Sequence, residues 1–323
     1  MTVEARRRGI LRDPDFRRFW TADLLSQLGI RLGMLAVPLL AVLELTASAF
    51  EVSLLRAFET AAWLLIGLFA GAWMDRIRCK PVMITADLAR AAFFASVPVA
   101  AAFGVLTLAQ LYVVLFLAGV MTVLFDVAHS TYLPRLVDRE DLVAGNAKLA
   151  ANHSVGAVAG QGIGGYLVQW FTAPAAIGLN ALGFVWSALW LRSIRAVEAR
   201  PVPAEQPHLR REIGAGLRFV VRHPLLRPIA LTSATTMLFQ AANNAIIVVF
   251  LVRELGLSAG KIGLLGMIGL LGALVAAAAT ERISRRVGHA RAMWITALTN
   301  GLGFCWSRWR SRDGGSASTY WAL

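Results

Sequence analysis

The residues of this chain best placed to do chemistry are ionisable and amide side chains lying inside long apolar stretches. Arg31 stands about 11 residues into the first such stretch, so at about 1.5 Å per residue it is about 17 Å deep, near a bilayer midplane. Gln27 lies one turn away on the same face. An arginine at that depth is costly to hold and is commonly functional. It suits attraction of an anionic substrate or pairing with a carboxylate, and a structural ion pair inside a bundle is the alternative. Asp87 and Arg90 share a face at i, i+3 spacing, as do Asp126 and His129, and Arg56 and Glu59. Asp87, Arg90, Asp126 and His129 fall toward the inner mouth, where a gate network is expected. Asp126 is a candidate proton carrier, because a low-dielectric span favours the neutral carboxyl. Gln240, Asn243 and Asn244 gather in a later stretch, either lining a cavity or joining helices by hydrogen bonds. No nucleotide-binding loop, metal-ligand spacing or nucleophile with a partner occurs. His129, His153 and the three other histidines are too scattered for a metal site. No catalytic residue, resident metal or cofactor is expected.

The elements that must position these groups are apolar helices. The chain has 323 residues, 57% of them hydrophobic and 16% charged, with a mean hydropathy of +0.62. A soluble domain carries about a quarter charged residues. Here long apolar runs alternate with short arginine-bearing connectors, and a helix needs about 20 residues to cross the hydrocarbon core. The expected spans are 20–43, 52–74, 82–104, 108–130, 144–171, 174–191, 229–251 and 262–280, with a weaker one at 292–306. A net charge of +13 could suggest a nucleic-acid partner, but the basic residues sit between spans rather than on one solvated face. The lipid bilayer is the better partner. Cys79 and Cys305 are too few for a disulfide framework. No removable signal peptide is apparent, so the first helix is expected to serve as the insertion signal.

Lysine and arginine set the expected orientation. The N-terminal segment and alternate connectors hold nearly all of them, while the opposite side has Arg253 and Lys261. The positive-inside rule then places the N-terminus and the long central connector in the cytoplasm. The expected layout is a cytoplasmic N-terminus at 1–19, a six-helix bundle at 20–191 and a cytoplasmic linker at 192–228. An incomplete second bundle of two to three helices follows at 229–306, then an atypical tail at 307–323. Within the linker, 209–222 has apolar residues at helical spacing opposite arginines, which fits either a membrane-surface helix or a solvated one.

Two motifs add chemistry to this layout. After the second span the chain reads Gly71-Ala-Trp-Met-Asp75-Arg76-Ile-Arg-Cys-Lys80. Gly71 is expected to let two helix backbones approach, and Asp75 to hold cations and helix N-termini in one state and release them in another. The fifth span holds Gly156, Gly160, Gly164 and Gly165 around Gln161, small residues that form a flat stripe on which another helix can sit or pivot. The first motif resembles the loop signature between helices 2 and 3 of the major facilitator superfamily. It keeps the first glycine, Asp75, Arg76 and Lys80, but has Trp73, Arg78 and Cys79 where leucine, glycine and arginine are usual. The second is similar to the helix 5 signature of that family's antiporters, with Gln161 in place of proline. Phrases such as Val37-Pro38-Leu39-Leu40 and Tyr132-Leu133-Pro134-Arg135 resemble the branch that holds the enterobactin exporter and macrolide efflux proteins.

The resemblance, from about Phe16 to Gly303, implies an all-α integral membrane fold: a six-helix N-terminal bundle plus part of a second bundle. It implies multi-pass insertion in a bacterial cytoplasmic membrane and proton-coupled efflux of small hydrophobic or amphipathic compounds. The small-molecule substrate and protons would be the partners, with no nucleic acid. The second-half counterpart of the loop signature, at 281–291, lacks the acidic residue. The composition after Phe304 reads as an altered ending, so a truncated, transport-inactive remnant is the alternative expectation, with a half-transporter completed by a partner chain behind it. The sequence leaves the substrate, the coupling ion and the oligomeric state open.

Overall fold

The computed structural model describes residues 10–74, 76–198, 214, 218–219, 221–224 and 226–287, and of 64, 68, 72, 237–246 and 276–287 the backbone alone. Among the described residues, regular structure is helical throughout: a short 3-10 turn at Ile10–Arg12, then eight α-helices. They are α1 Pro14–Leu43, α2 Ala49–Met74, α3 Cys79–Ala102, α4 Leu108–Leu136, α5 Leu142–Phe171, α6 Ala173–Ser193, α7 Leu226–Arg253 and α8 Ala259–Val287.

Local sequence explains where several of these helices begin. The Asp13 carboxylate accepts from the N–H groups of Asp15 (2.8 Å) and Phe16 (3.4 Å), with Pro14 in the first turn where its missing N–H costs nothing. Ser48 and Glu51 make a reciprocal capping box at the start of α2: the Ser48 N–H donates to Glu51 Oε2 at 2.7 Å, and the Glu51 N–H donates to Ser48 Oγ at 3.3 Å. Thr107 caps α4 by accepting from the Gln110 N–H at 3.2 Å. Thr172 joins α5 to α6 alone, at φ 116°, a left-handed value that costs a β-branched residue strain.

By length and composition α1, α3, α4 and α6 each suffice to cross a membrane. At 26, 30, 28 and 29 residues, α2, α5, α7 and α8 also exceed the roughly 20 residues a crossing needs. Several helices outrun the expected spans: α1 starts at Pro14 rather than Trp20, and α7 and α8 extend beyond 229–251 and 262–280. Hydropathy marks the part that fits the hydrocarbon, whereas helical hydrogen bonding continues through the polar turns that cap it.

The first six helices form the bundle. α1 packs between α5 and α6, α3 lies on α6 and α4, and α2 covers α4 and meets α7. The end at which α1, α3 and α5 begin carries most of the arginines and is called here the basic end. Two apolar cores fill the bundle. One, at the basic end, includes Phe16, Phe19, Met83, Phe125, Tyr132 and Leu191. The other, toward the opposite end, includes Leu39, Leu40, Leu55, Val97, Leu111 and Ile177. Between them sit the buried polar groups Asp23, Ser26, Asp87, Arg90, Asn152, Asn180 and Ser187. Trp63, Trp73, Trp170 and Trp186 are among many large apolar side chains left exposed, far more than a soluble surface tolerates. They suit contact with lipid.

Residues 1–267 and 268–323 form two compact units. In the second, the described part is the remainder of α8. The expected ninth span at 292–306, the tail at 307–323 and most of the linker helix at 209–222 lie outside the described residues.

Candidate functional site

Five of the first six helices send polar side chains into one layer toward the basic end. From α1, Asp23 is 2% exposed. Its Oδ2 accepts from Asn152 Nδ2 of α5 at 2.8 Å, and the same amide nitrogen donates to the Trp20 carbonyl at 2.8 Å. Its other oxygen stands 3.2 Å from His129 Nε2 of α4. The His129 ring stacks on Phe19 and Phe125, with centroids 4.6 and 5.8 Å away. These two phenyl faces hold the imidazole in place.

Beside this pair, Asp87 and Arg90 of α3 are both fully buried and joined by a short ion pair. Arg90 also donates to Ser26 Oγ of α1 (3.3 Å) and Thr122 Oγ1 of α4 (3.4 Å). Its guanidinium lies 4.5 Å from the ring centres of both Phe125 and Phe184. Asp126 is half-buried on α4, and Ser187 of α6 donates to the Ala22 carbonyl at 2.9 Å. The i, i+3 pairing of Asp87 with Arg90 is thus realised inside a four-helix junction.

Arg31 does not meet a carboxylate among the described residues. Its Nη2 stands 2.6 Å from His153 Nε2 on α5, so the imidazole accepts and is neutral in this arrangement. Gln27 does not join that contact; its backbone and Cβ line the notch at Gly156. Arg56 and Glu59 pair at 2.8 Å, and Arg56 also donates to the Met34 carbonyl at 2.8 Å. Both border a cavity with Gly33, Met34, Phe94 and Phe184. Asn180 of α6, 2% exposed with neither amide atom hydrogen-bonded, occupies the adjoining notch formed by Gly29 and Gly33 of α1.

The glycines of α5 divide into two faces. A Cβ at Gly156 would come 3.1 Å from Gln27 Cβ, one at Gly160 2.5 Å from Arg31 Cβ, and one at Gly164 3.6 Å from the Leu32 backbone, all on α1. A Cβ at Gly165 would instead strike the α8 backbone, 2.6 Å from the Ala259 carbonyl oxygen and 2.8 Å from Gly263 Cα. Real Cβ atoms do not approach so closely, so α5 is a two-sided seat for α1 and the start of α8. Gln169 Oε1 accepts from the Gly260 N–H at 3.0 Å on the same side. At that end Arg253 of α7 donates to the carbonyls of Thr46 (2.9 Å) and Ala47 (2.7 Å) in the α1–α2 turn.

At the basic end Glu198, just past α6, accepts from the N–H groups of Cys79 (2.7 Å) and Lys80 (3.0 Å) and from Arg135 (2.7 Å). It satisfies orphan donors at the start of α3, where Arg78 provides no side-chain cap. Lys80 Nζ donates to the Ile194 carbonyl at 2.6 Å. Asp15 takes the N–H groups of Arg195 (3.0 Å) and Ala196 (2.7 Å) and pairs with Arg18 at 2.7 Å. Burial pushes the Asp15 carboxyl up, but these donors outweigh it and hold the group below the usual carboxylate range.

Of the loop signature, Asp75 lies outside the described residues, and the Arg76 N–H closes the turn on the Trp73 carbonyl at 3.0 Å. The close helix approach expected at Gly71 is corrected among the described residues: a Cβ there would meet none of their atoms within 4 Å, although Ala70 and Met74 of the same turn are buried. Gln240, Asn243 and Asn244 fall within α7, and their side chains lie outside the described residues. The sequence reading passed over Asp23, Asn152, Asn180 and Glu198. A carboxylate a few residues into the first span was the available signal for Asp23. Nothing local marks Glu198, whose partners are more than sixty residues away.

Comparison with known proteins agrees with this architecture. The family model described as Major Facilitator Superfamily matches residues 19–323. An uncharacterized MFS-type transporter of Sinorhizobium fredii is 30% identical over 130 residues, 40% of this chain and 32% of that protein; the match thus spans about a third of the relative's length. A crystal structure of a bacterial homologue of the iron transporter ferroportin, in an inward-facing state, superposes with a TM-score of 0.65 at 19% identity, over 98% of this chain and 79% of that one. At that identity the likeness is one of fold. With bilayer-length helices, buried charges in the bundle and a family match along almost its whole length, the chain is a multi-pass membrane protein that belongs to the major facilitator superfamily of transporters.

Proposed function

We propose that the chain is a cytoplasmic-membrane exporter that moves small hydrophobic or amphipathic compounds, of the drug or siderophore-like kind, outward against protons. The basic end faces the cytoplasm in this reading, as the positive-inside rule requires. Alternating access would come from rocking of the first bundle against the second around a midplane site. The observation that carries the reading is the two-sided glycine seat on α5, where α1 and the start of α8 both approach backbone to backbone. Such a contact has little side-chain interlocking and lets helices shift as bodies. The glycines also sit where the antiporter-like motif of the drug/proton branch expects them. Arg31, Gln27 and the α7 amides Gln240, Asn243 and Asn244 are the proposed cavity groups; Asp87, Arg90 and Asp126 belong to the gate layer, with Gly71, Asp75, Arg76 and Lys80 at the turn below it.

The test is ethidium accumulation in cells expressing this chain. Lower accumulation than empty vector, abolished by a protonophore, is expected. Accumulation equal to empty vector, from a chain shown to be inserted, would rule the exporter out and leave a membrane bundle without vectorial work.

A second reading, transport of a divalent metal, is favoured by one observation: Asp23 and His129 bring a carboxylate oxygen and an imidazole nitrogen within 3.2 Å of each other. The ferroportin-like fold neighbour points the same way. Manganese uptake into proteoliposomes, with ethidium transport absent, would establish it over the first.

A further inference from the structure

We propose that the groove between the basic ends of α3 and α6 binds the phosphate headgroup of an anionic phospholipid, whose acyl chains lie along the outer faces of the two helices. The inference concerns a lipid partner and is independent of what the chain transports. The groove has a volume of about 540 Å³, within the range of small-molecule sites. Four cations line it: Arg78 and Lys80 at the start of α3, and Arg192 and Arg195 at and just past the end of α6. None of the four side chains forms an ion pair among the described residues.

The carboxylates that border the groove have other partners. Glu198, which also lines it, accepts from the N–H groups of Cys79 and Lys80 and pairs with Arg135. Asp15 accepts from the N–H groups of Arg195 and Ala196 and pairs with Arg18. Each of these two acids is thus balanced by an arginine outside the groove, and the four lining cations remain in excess. Asp75, in the turn before Arg78, lies outside the described residues; one more carboxylate set against the four still leaves the groove positive. The bond from Lys80 Nζ to the Ile194 carbonyl uses one of three ammonium donors and none of the charge. A phosphodiester, with several acceptor oxygens and one negative charge, complements such a set by charge-assisted hydrogen bonds.

A soluble anion would leave the rest of the groove unexplained. Pro81, Ile84 and Val197 line it beside the cations, and Val197 is 93% exposed. Charge and apolar surface are stacked on both helices: Ile84 follows Lys80 by one turn on α3, and Leu189 precedes Arg192 by one turn on α6. From there exposed apolar side chains continue into the span, Leu88 on α3 and Leu182, Val185 and Trp186 on α6. α3 and α6 pack on each other, and their other main contacts are with α1, α4 and α5, so these outer side chains are left for lipid. Cations at the level of the headgroups above an apolar track suit a charged head with hydrocarbon tails. A phosphate held from both helices would brace the seam from which the central linker departs.

Native mass spectrometry tests this on the full chain, released from mixed micelles that hold phosphatidylglycerol and phosphatidylcholine in equal amounts. Phosphatidylglycerol is expected to be retained in preference. A cation close to an anionic headgroup adds about fivefold in binding. Arg192→Gln combined with Arg195→Gln should therefore lower its retention at least about tenfold, and Arg78→Gln, on the other helix, about fivefold. All three arginines are exposed, so the variants should keep the helical circular dichroism of the parent, and each helix reports separately. Arg12→Gln, a cation of the same end that borders a different pocket, should leave retention unchanged. A phosphatidylglycerol with a diazirine on its acyl chain should crosslink to α3 within 81–92 and to α6 within 182–193. Equal retention of the two lipids, an equal loss in Arg12→Gln, or crosslinks confined to other helices overturns the proposal. Displacement of the lipid by inorganic phosphate or by deacylated glycerophosphoglycerol overturns it in favour of a site for a soluble anion.

Discussion

Arg90 and Arg31 stand on different helices of one bundle, α3 and α1, and their surroundings differ in every respect that matters. Arg90 is fully buried, paired with Asp87, hydrogen-bonded to Ser26 and Thr122, and held between two phenyl rings. Arg31 is half-buried and faces a histidine that can accept only while neutral. The first arginine is finished by the fold. The second keeps a charge that the described bundle does not neutralise, which is the condition a site for an anionic group requires. Depth in the membrane therefore does not by itself distinguish a structural cation from a binding one; the partner set does.

The strongest way to break this contrast is at Asp87. Asp87→Ala strands Arg90 in the core and is expected to cost about 3–5 kcal/mol, read as loss of folded protein or a large fall in Tm in detergent. Asp87→Ala combined with Arg90→Met removes both charges and should recover most of that loss. A double variant as unstable as the single one would mean that the pair is not the cause. Next in size, Gly160→Ala forces a methyl against Arg31 Cβ and should cost about 1–3 kcal/mol as an overpacked contact, measured by the same melt. Arg31→Gln should change stability by less than about 1 kcal/mol, as substitutions outside the core usually do, while weakening anionic-probe binding. A Tm drop matching that of Asp87→Ala would make Arg31 structural too.

The smallest effect lies at the basic end. Asp15 has its folded pKa held below the unfolded value, so its stabilisation is present above the ordinary carboxylate range and is lost as pH falls through the folded pKa. The protection of the Arg195 and Ala196 amides against hydrogen exchange, relative to their intrinsic rates, should fall under acid conditions in the parent chain and be low already at neutral pH in Asp15→Asn.

The helical bundle was legible because apolar runs of bilayer length separated by basic connectors have few other physical solutions. The i, i+3 pairs Asp87–Arg90 and Arg56–Glu59 were legible for a similar reason: helix periodicity alone brings them together. The glycine motif on α5 was visible as a stripe, but not as two faces. Which glycine meets α1 and which meets α8 depends on the rotation of α5 in the bundle, and a short window of sequence does not encode that. Gly71 shows the converse, a glycine whose motif suggested close packing but at which an added Cβ would meet no atom of the described residues within 4 Å.

Local pattern, then, determined what short-range physics controls: helix existence, bilayer length, caps such as Asp13 and Ser48, and pairs one turn apart. Tertiary structure alone decided the partners of Asp23, Arg31 and Glu198, each of which meets a group more than sixty positions away. A buried charge takes whatever partner the crossing helices present to it. That choice is fixed by the packing of whole helices rather than by the residues beside it in the chain.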